Sequence, residues 1–185
     1  MCVKKFLDIG QDGRNWYRDA SLLLKSRFGQ KSDYAADLLA ATSIMTSIKS
    51  NETLFWKAWT ILGNDLPIEG FLPAMRMQLE YIKSGKPING RKIRNFADAL
   101  KGNLDAVVVD RWMMRAFDRT TEKNQDRPST KDYDFIEQEI VGLSKEVGET
   151  TSDIQAMIWV GIRKVENARM SQSRYGSILQ YRLFD

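Results

Sequence analysis

Lys92 and Asp110 stand eighteen residues apart, each at a point where a helix is expected to begin. Lys92 follows the turn Pro87-Ile88-Asn89-Gly90 and opens a short basic helix together with Arg91. Asp110 closes the apolar run Ala106-Val107-Val108-Val109 and precedes Arg111-Trp112-Met113. A lysine amine attacks an electrophilic carbon once it has lost its proton, and a helix start flanked by Arg91 and Arg94 disfavours the ammonium. The first N–H groups of a helix lack internal partners and attract phosphate, while a turn such as Asn89-Gly90 lets a phosphate backbone come close. A carboxylate at the start of the next helix can take up a proton in a reaction. It can also cap that helix, and the two roles are compatible. The connector Leu104–Val109 is long enough to run back along the first helix and carry Asp110 toward Lys92.

The composition narrows the chemistry. There is no histidine among 185 residues, which removes histidine triads, histidine-ligated zinc and histidine as general base. The single cysteine, Cys2, excludes an internal disulfide and a four-cysteine iron–sulfur cluster. Nucleophilic or acid–base work must therefore fall to Lys, Asp, Glu, Tyr, Ser or Thr. No cofactor and no metal is expected. The net charge of +4 and a pI near 9.1 permit a polyanionic partner without requiring one. From Lys83 to Arg119, nine basic residues face four acids, a net +5 that exceeds the excess of the whole chain. Within it Arg91, Arg94, Lys101, Arg111 and Arg115 are candidates to track phosphates, or else a plain solvated face. No apolar run approaches the length of a membrane span, and Met1-Cys2-Val3-Lys4-Lys5 lacks the apolar region of a signal peptide. The expectation is a cytoplasmic protein with no membrane partner.

The elements that would position these residues read as all-α. Apolar spacing predicts helices over 13–28, from Ser32 or Asp33, over 47–62 and over 71–82. Beyond the basic stretch it predicts one from Asp132 or Tyr133 to Gly148 and one from Thr151 or Ser152 onward. Residues 64–70 and 118–131 read as loops, and 170–185 as a short helix or a packing tail. No repeat is evident. Ala106–Val109 is the one candidate strand, but with no partner elsewhere it fits better as a buried extended connector or a first helical turn. The length suits one helical domain over 1–185, or two small lobes, with the stretch 86–115 as its hairpin region.

The pattern Pro87-x-x-Gly90-Arg91-Lys92-x-x-Asn95, followed by Val109-Asp110-x4-Arg115, resembles the helix-hairpin-helix DNA glycosylase superfamily, in particular its endonuclease III-like members. There the hairpin reads P-G-x-G-R-K-x-x-N and is followed by V-D-x-x-x-x-R at the same interval. Asp37-Leu38-Leu39-Ala40-Ala41-Thr42-Ser43 to Asn51 is similar, less specifically, to an early helix pair of that family, and Gln155 and Trp159 fall where its late helix closes the second lobe. The chain is also similar to small bacteriophage proteins sharing the A-A-T-S and V-D-R-W segments, which implies a host cytoplasm as its location. The resemblance implies a two-lobed, all-α glycosylase-like fold without an iron–sulfur cluster. Its implied partner is double-stranded DNA bearing a damaged or modified base. It implies Lys92 as the nucleophile on the sugar of a flipped nucleotide and Asp110 as its assistant. Asn89, Gly90 and the basic residues above would then touch DNA, and Thr42 or Ser43 would lie near the place of the glutamine that fills the gap left by the flipped base. Ile88 stands where the family has its first hairpin glycine.

Three functions are compatible with these residues. The first is a DNA glycosylase/lyase. The second is an enzyme that modifies a flipped base without cutting the glycosidic bond. The third is a non-catalytic DNA-binding module or an inhibitor of a host protein. Trp56, Trp112 and Trp159 would stack on an extruded base or fill the core.

Overall fold

A computed structural model describes residues 3–121 and 127–170, with side chains through residue 167. Cys2, the middle of the polar 118–131 segment and the segment after Met170 lie outside the described residues. Among the described residues every regular element is helical. In chain order these are α1 (Lys4–Ile9), α2 (Trp16–Phe28), α3 (Ser32–Thr42), α4 (Ile48–Gly63) and α5 (Pro73–Lys83). They continue with α6 (Arg91–Lys101), α7 (Arg111–Ala116), α8 (Thr130–Val147) and α9 (Thr151–Met170). Short 3₁₀ turns at Gln11–Gly13 and Gly29–Lys31 join the first three. Among the described residues no helix is long and apolar enough to cross a membrane.

The chain divides into two compact units, with one boundary between Asp19 and Ala20 and another between Asn103 and Leu104. Among the described residues, Ala20–Asn103 form one. Its centre is α3, whose face of Ala35, Ala36, Leu38, Leu39, Ala40 and Ala41 is buried. Four alanines on one short helix keep side chains small where α4, α5 and α6 all pack on it. Ser47 caps α4 by accepting the Ser50 N–H at 3.1 Å. The aromatic residues of α4 gather with Phe28 and Tyr34: Phe28 lies 4.9 Å from Trp59 and 5.6 Å from Phe55, ring centre to ring centre. Phe55 is fully buried, while Trp56 and Trp59 are half-buried.

Among the described residues, those up to Asp19 and those over 104–170 form the other unit, built on α9. α1, α7 and α8 and the Gln11–Gly13 turn pack against it. Spacing did not reveal α1, because six residues carrying Phe6 and Leu7 side by side show no helical period. The α1–α9 crossing is tight. A Cβ on Gly161 would collide with the Phe6 backbone, and one on Gly10 with the Met157 carbonyl. Asp153, 2% exposed, ties the N-terminal segment to α9 by accepting the Asn15 N–H at 2.7 Å and the Thr150 hydroxyl at 2.6 Å. Phe6, Val107, Val109, Met113, Met114, Ile136, Ile140, Ile154, Met157, Ile158 and Ile162 make the core. Phe135 on α8 is 39% exposed beneath the Arg119 guanidinium.

Ala106–Val109 is the buried extended connector expected of a lone apolar run. Its backbone groups have no sheet to join, so side chains satisfy them. The Tyr133 hydroxyl donates to the Val107 carbonyl at 2.7 Å and accepts the Val109 N–H at 3.2 Å. The Ser152 hydroxyl donates to the Leu104 carbonyl at 2.8 Å and lies 3.2 Å from that of Ala106. The connector ends where Asp110 begins α7.

Candidate functional site

Lys92 belongs to the Ala20–Asn103 unit and Asp110 to the other. On the Lys92 side, α5 and α6 are joined by the Pro87–Gly90 turn. Gln78, 2% exposed on α5, accepts the Asn89 N–H at 2.7 Å, and Asn89 accepts the Gly90 N–H through its own side chain at 2.8 Å. Gly90, the residue before α6, has φ 94°, the left-handed region that glycine tolerates. No side chain caps α6, and a Cβ at Gly90 would meet nothing nearer than Ile93 at 3.9 Å. The turn is therefore open on its outer side. Ile88 anchors the turn from within. That side chain is 7% exposed and packs with Ala40 and Ala97, edged by Ile82, Ile93 and Phe96.

Lys92 is the second residue of α6 and half-buried, and its ammonium makes no hydrogen bond or ion pair among the described residues. Arg94 is exposed and Arg91 half-buried. The Lys101 ammonium pairs with Asp37 at 2.6 Å. Burial nevertheless holds the Asp37 carboxyl above the usual range, outweighing Lys101, with Asp33 and Asp98 adding to the rise.

The turn also has a counterpart that spacing analysis missed. Pro67-Ile68-Glu69-Gly70 repeats Pro87-Ile88-Asn89-Gly90. Ile68 is likewise buried, at 3% exposed, and Gly70 has φ 72°. There the Lys57 ammonium donates to the Gly70 carbonyl at 3.2 Å and lies 4.9 Å from the Phe71 ring centre, covering a turn that stays open at Gly90. The signal was Pro-Ile-x-Gly in two loops, three matching residues of four and too short to stand out as a repeat.

Asp110 is the N-cap of α7. Its Oδ1 accepts the N–H groups of Trp112 at 2.9 Å and Met113 at 3.1 Å. Its Oδ2 accepts the indole N–H of Trp159, from α9, at 3.0 Å. Arg163 lies 4.4 Å over the Trp159 ring and 5.4 Å over Trp112, and Arg115 lies 4.9 Å over Trp112. Arg115 is thus stacked on an indole, while Arg111 is exposed. Trp112 and Trp159 pack against the core as half-buried residues. Tyr17 is buried in the same unit. Burial pushes its phenol far above the ordinary value, reinforced by Asp110 and Tyr133 and opposed by a hydrogen bond with Gln155, so it stays protonated. Gln155 is itself buried, and its Oε1 has no hydrogen-bond partner among the described residues.

Thr42 requires correction as a DNA contact. It is fully buried, its hydroxyl lying 2.8 Å from the Leu38 carbonyl and 2.6 Å from Asn51 Oδ1. Ser43 is half-buried and donates to the Ala40 carbonyl at 2.8 Å. The structure thus brings Asp110, Trp112, Arg115, Trp159 and Arg163 together in one unit, and Asn89, Gly90, Arg91, Lys92 and Arg94 on one turn and helix start in the other. Among the described residues no group of three or more Cys, Asp or Glu side chains could hold a metal ion.

These features define an all-helical protein with an open glycine turn before a basic helix and a carboxylate-capped helix beyond it. The chain belongs to the family described as "Family of unknown function (DUF7178)", whose model matches residues 8–166. No curated protein and no solved structure matches it.

Proposed function

We propose that this protein is a DNA-acting enzyme of glycosylase/lyase type, with a helix-hairpin-helix glycosylase-like fold, Lys92 as nucleophile and Asp110 as assisting carboxylate. One observation carries the reading. The P-x-x-G-R-K-x-x-N sequence lies on a helix–turn–helix whose glycine has φ 94°, with the lysine in the first turn of the second helix. The V-D pair ends an extended connector where the aspartate caps α7.

In the proposed reaction the neutral Lys92 amine forms a bond to C1′ of a flipped nucleotide. The C1′–N bond to the base breaks, and its electron pair leaves with the base, which is then protonated. The proton released from the lysine nitrogen goes to a carboxylate, the role assigned to Asp110. The nitrogen lone pair then opens the sugar ring, O4′ gains a proton, and a Schiff base joins Lys92 to C1′. Borohydride reduces that C=N bond and makes the link permanent. The test is incubation with duplexes carrying a panel of damaged or modified bases, or a single abasic site, in the presence of borohydride. A covalent protein–DNA adduct is expected from the wild type and none from Lys92→Ala. A wild type that yields no adduct across the panel would sink the reading.

A second reading is favoured by Asp110 itself, whose two oxygens already accept three N–H groups. On that reading the carboxylate is structural and the protein is a non-catalytic DNA-binding module. Salt-dependent duplex binding that survives Lys92→Ala, with no adduct from the wild type, is its signature.

A further inference from the structure

Resting on the reading of Asp110 as a reacting group, we infer that Trp159 is its positioning residue, through the indole N–H that orients the carboxylate. A carboxylate offers about four acceptor sites, two on each oxygen. Both sites of Oδ1 are taken by the first turn of α7, through Trp112 N at 2.9 Å and Met113 N at 3.1 Å. Trp159 Nε1 takes one site of Oδ2 at 3.0 Å. The fourth site, the second on Oδ2, is where Asp110 can receive a proton, and the Trp159 bond sets the direction in which it faces.

A helix cap alone does not call for this third donor. The hydroxyls that cap α4 and α8 accept from the first turns of their own helices. Trp159 comes from α9, forty-nine residues away along the chain. An indole N–H donates and cannot accept, so the bond has one polarity, and it strengthens when the acceptor is charged. The indole is itself held in place. It packs on the core of its unit, and the Arg163 guanidinium lies 4.4 Å over it while also reaching over Trp112. Asp110, Trp112, Trp159 and Arg163 therefore form one braced assembly in which a single N–H controls the free acceptor site.

Trp159→Phe removes that N–H and keeps most of the ring. With a duplex bearing one abasic site and borohydride, the single-turnover rate of adduct formation should fall about tenfold or more, with duplex affinity unchanged. In the proton–nitrogen spectrum, the indole signal missing from Trp159→Phe identifies Trp159. That signal should move upfield in Asp110→Ala, where its acceptor is gone. Adduct formation at the wild-type rate in Trp159→Phe overturns the positioning role, and so does a Trp159 signal unmoved by Asp110→Ala. A wild type that forms no adduct overturns instead the reading of Lys92, and this role with it.

Discussion

Ile88 stands where the resembled family has a glycine. Taken as a departure from glycine, it argues that the turn has lost its close approach to phosphate. In the structure it plugs the α3–α6 packing against Ala40 and Ala97, while Gly90 alone supplies the left-handed conformation. Ile88→Gly should therefore destabilise the protein by about 2–5 kcal/mol, as for other large-to-small changes in a core. Urea unfolding should show a lower midpoint with an unchanged slope. A midpoint equal to wild type would mean that Ile88 contributes nothing to the core. The residues legible in the sequence were those whose partners are local. Asp110 before Arg111-Trp112-Met113 reads as a cap, and it is one. Its bond to Trp159 was not legible, because nothing in spacing links residues forty-nine positions apart. Thr42 misled for a related reason. The resemblance placed it near the gap left by a flipped base, yet its hydroxyl folds back on Leu38 and meets Asn51.

Elements were legible where an apolar stripe and a stop signal coincided. Residues 47–62 and 71–82 were expected as helices, and the structure has Ile48–Gly63 and Pro73–Lys83. Starts were harder, because capping depends on geometry rather than composition. The expected start of α8 was Asp132 or Tyr133, whereas it begins at Thr130 behind a capping box. There Ser129 accepts the Asp132 N–H at 3.2 Å, and Asp132 accepts the Ser129 N–H at 3.2 Å. The Ser129 hydroxyl above all, then its backbone N–H and Arg119, hold the Asp132 carboxyl below its usual range. A carboxyl depressed in the folded state binds its proton more weakly there than in the unfolded chain. Its contribution is thus complete above the unfolded value of about 3.9 and is lost as pH falls through the folded value. Asp132→Ala should cost about 1 kcal/mol near neutral pH, the typical worth of a cap. The gap to wild type should close as the solution is taken below about pH 4. Denaturation at several pH values checks this. A gap that widens on acidification would reverse the sign and contradict the capping box.

For the molecule as a whole, the net charge of +4 matters less than how its cations are employed. The basic stretch looked uniform in the sequence because charge can be counted there but pairing cannot. The structure commits Lys101 to Asp37 at 2.6 Å and lays Arg115 over Trp112, while Arg94 and Arg111 are exposed. Binding to a polyanion releases about one counterion for each phosphate neutralised, so affinity falls with salt at a slope that counts those contacts. If the chain binds duplex DNA through this stretch, Arg94→Ala and Arg111→Ala should each weaken binding on any sequence. Each should also lower the slope of log affinity against log salt by about one. Lys101→Ala should leave the slope nearly unchanged, because its ammonium is already neutralised by Asp37, and should instead lower the unfolding midpoint. Fluorescence anisotropy with a labelled duplex across a salt series separates these cases. Identical slopes for wild type, Arg94→Ala and Arg111→Ala would show that the exposed cations do not meet phosphate. The open turn at Gly90 would then lose its proposed partner.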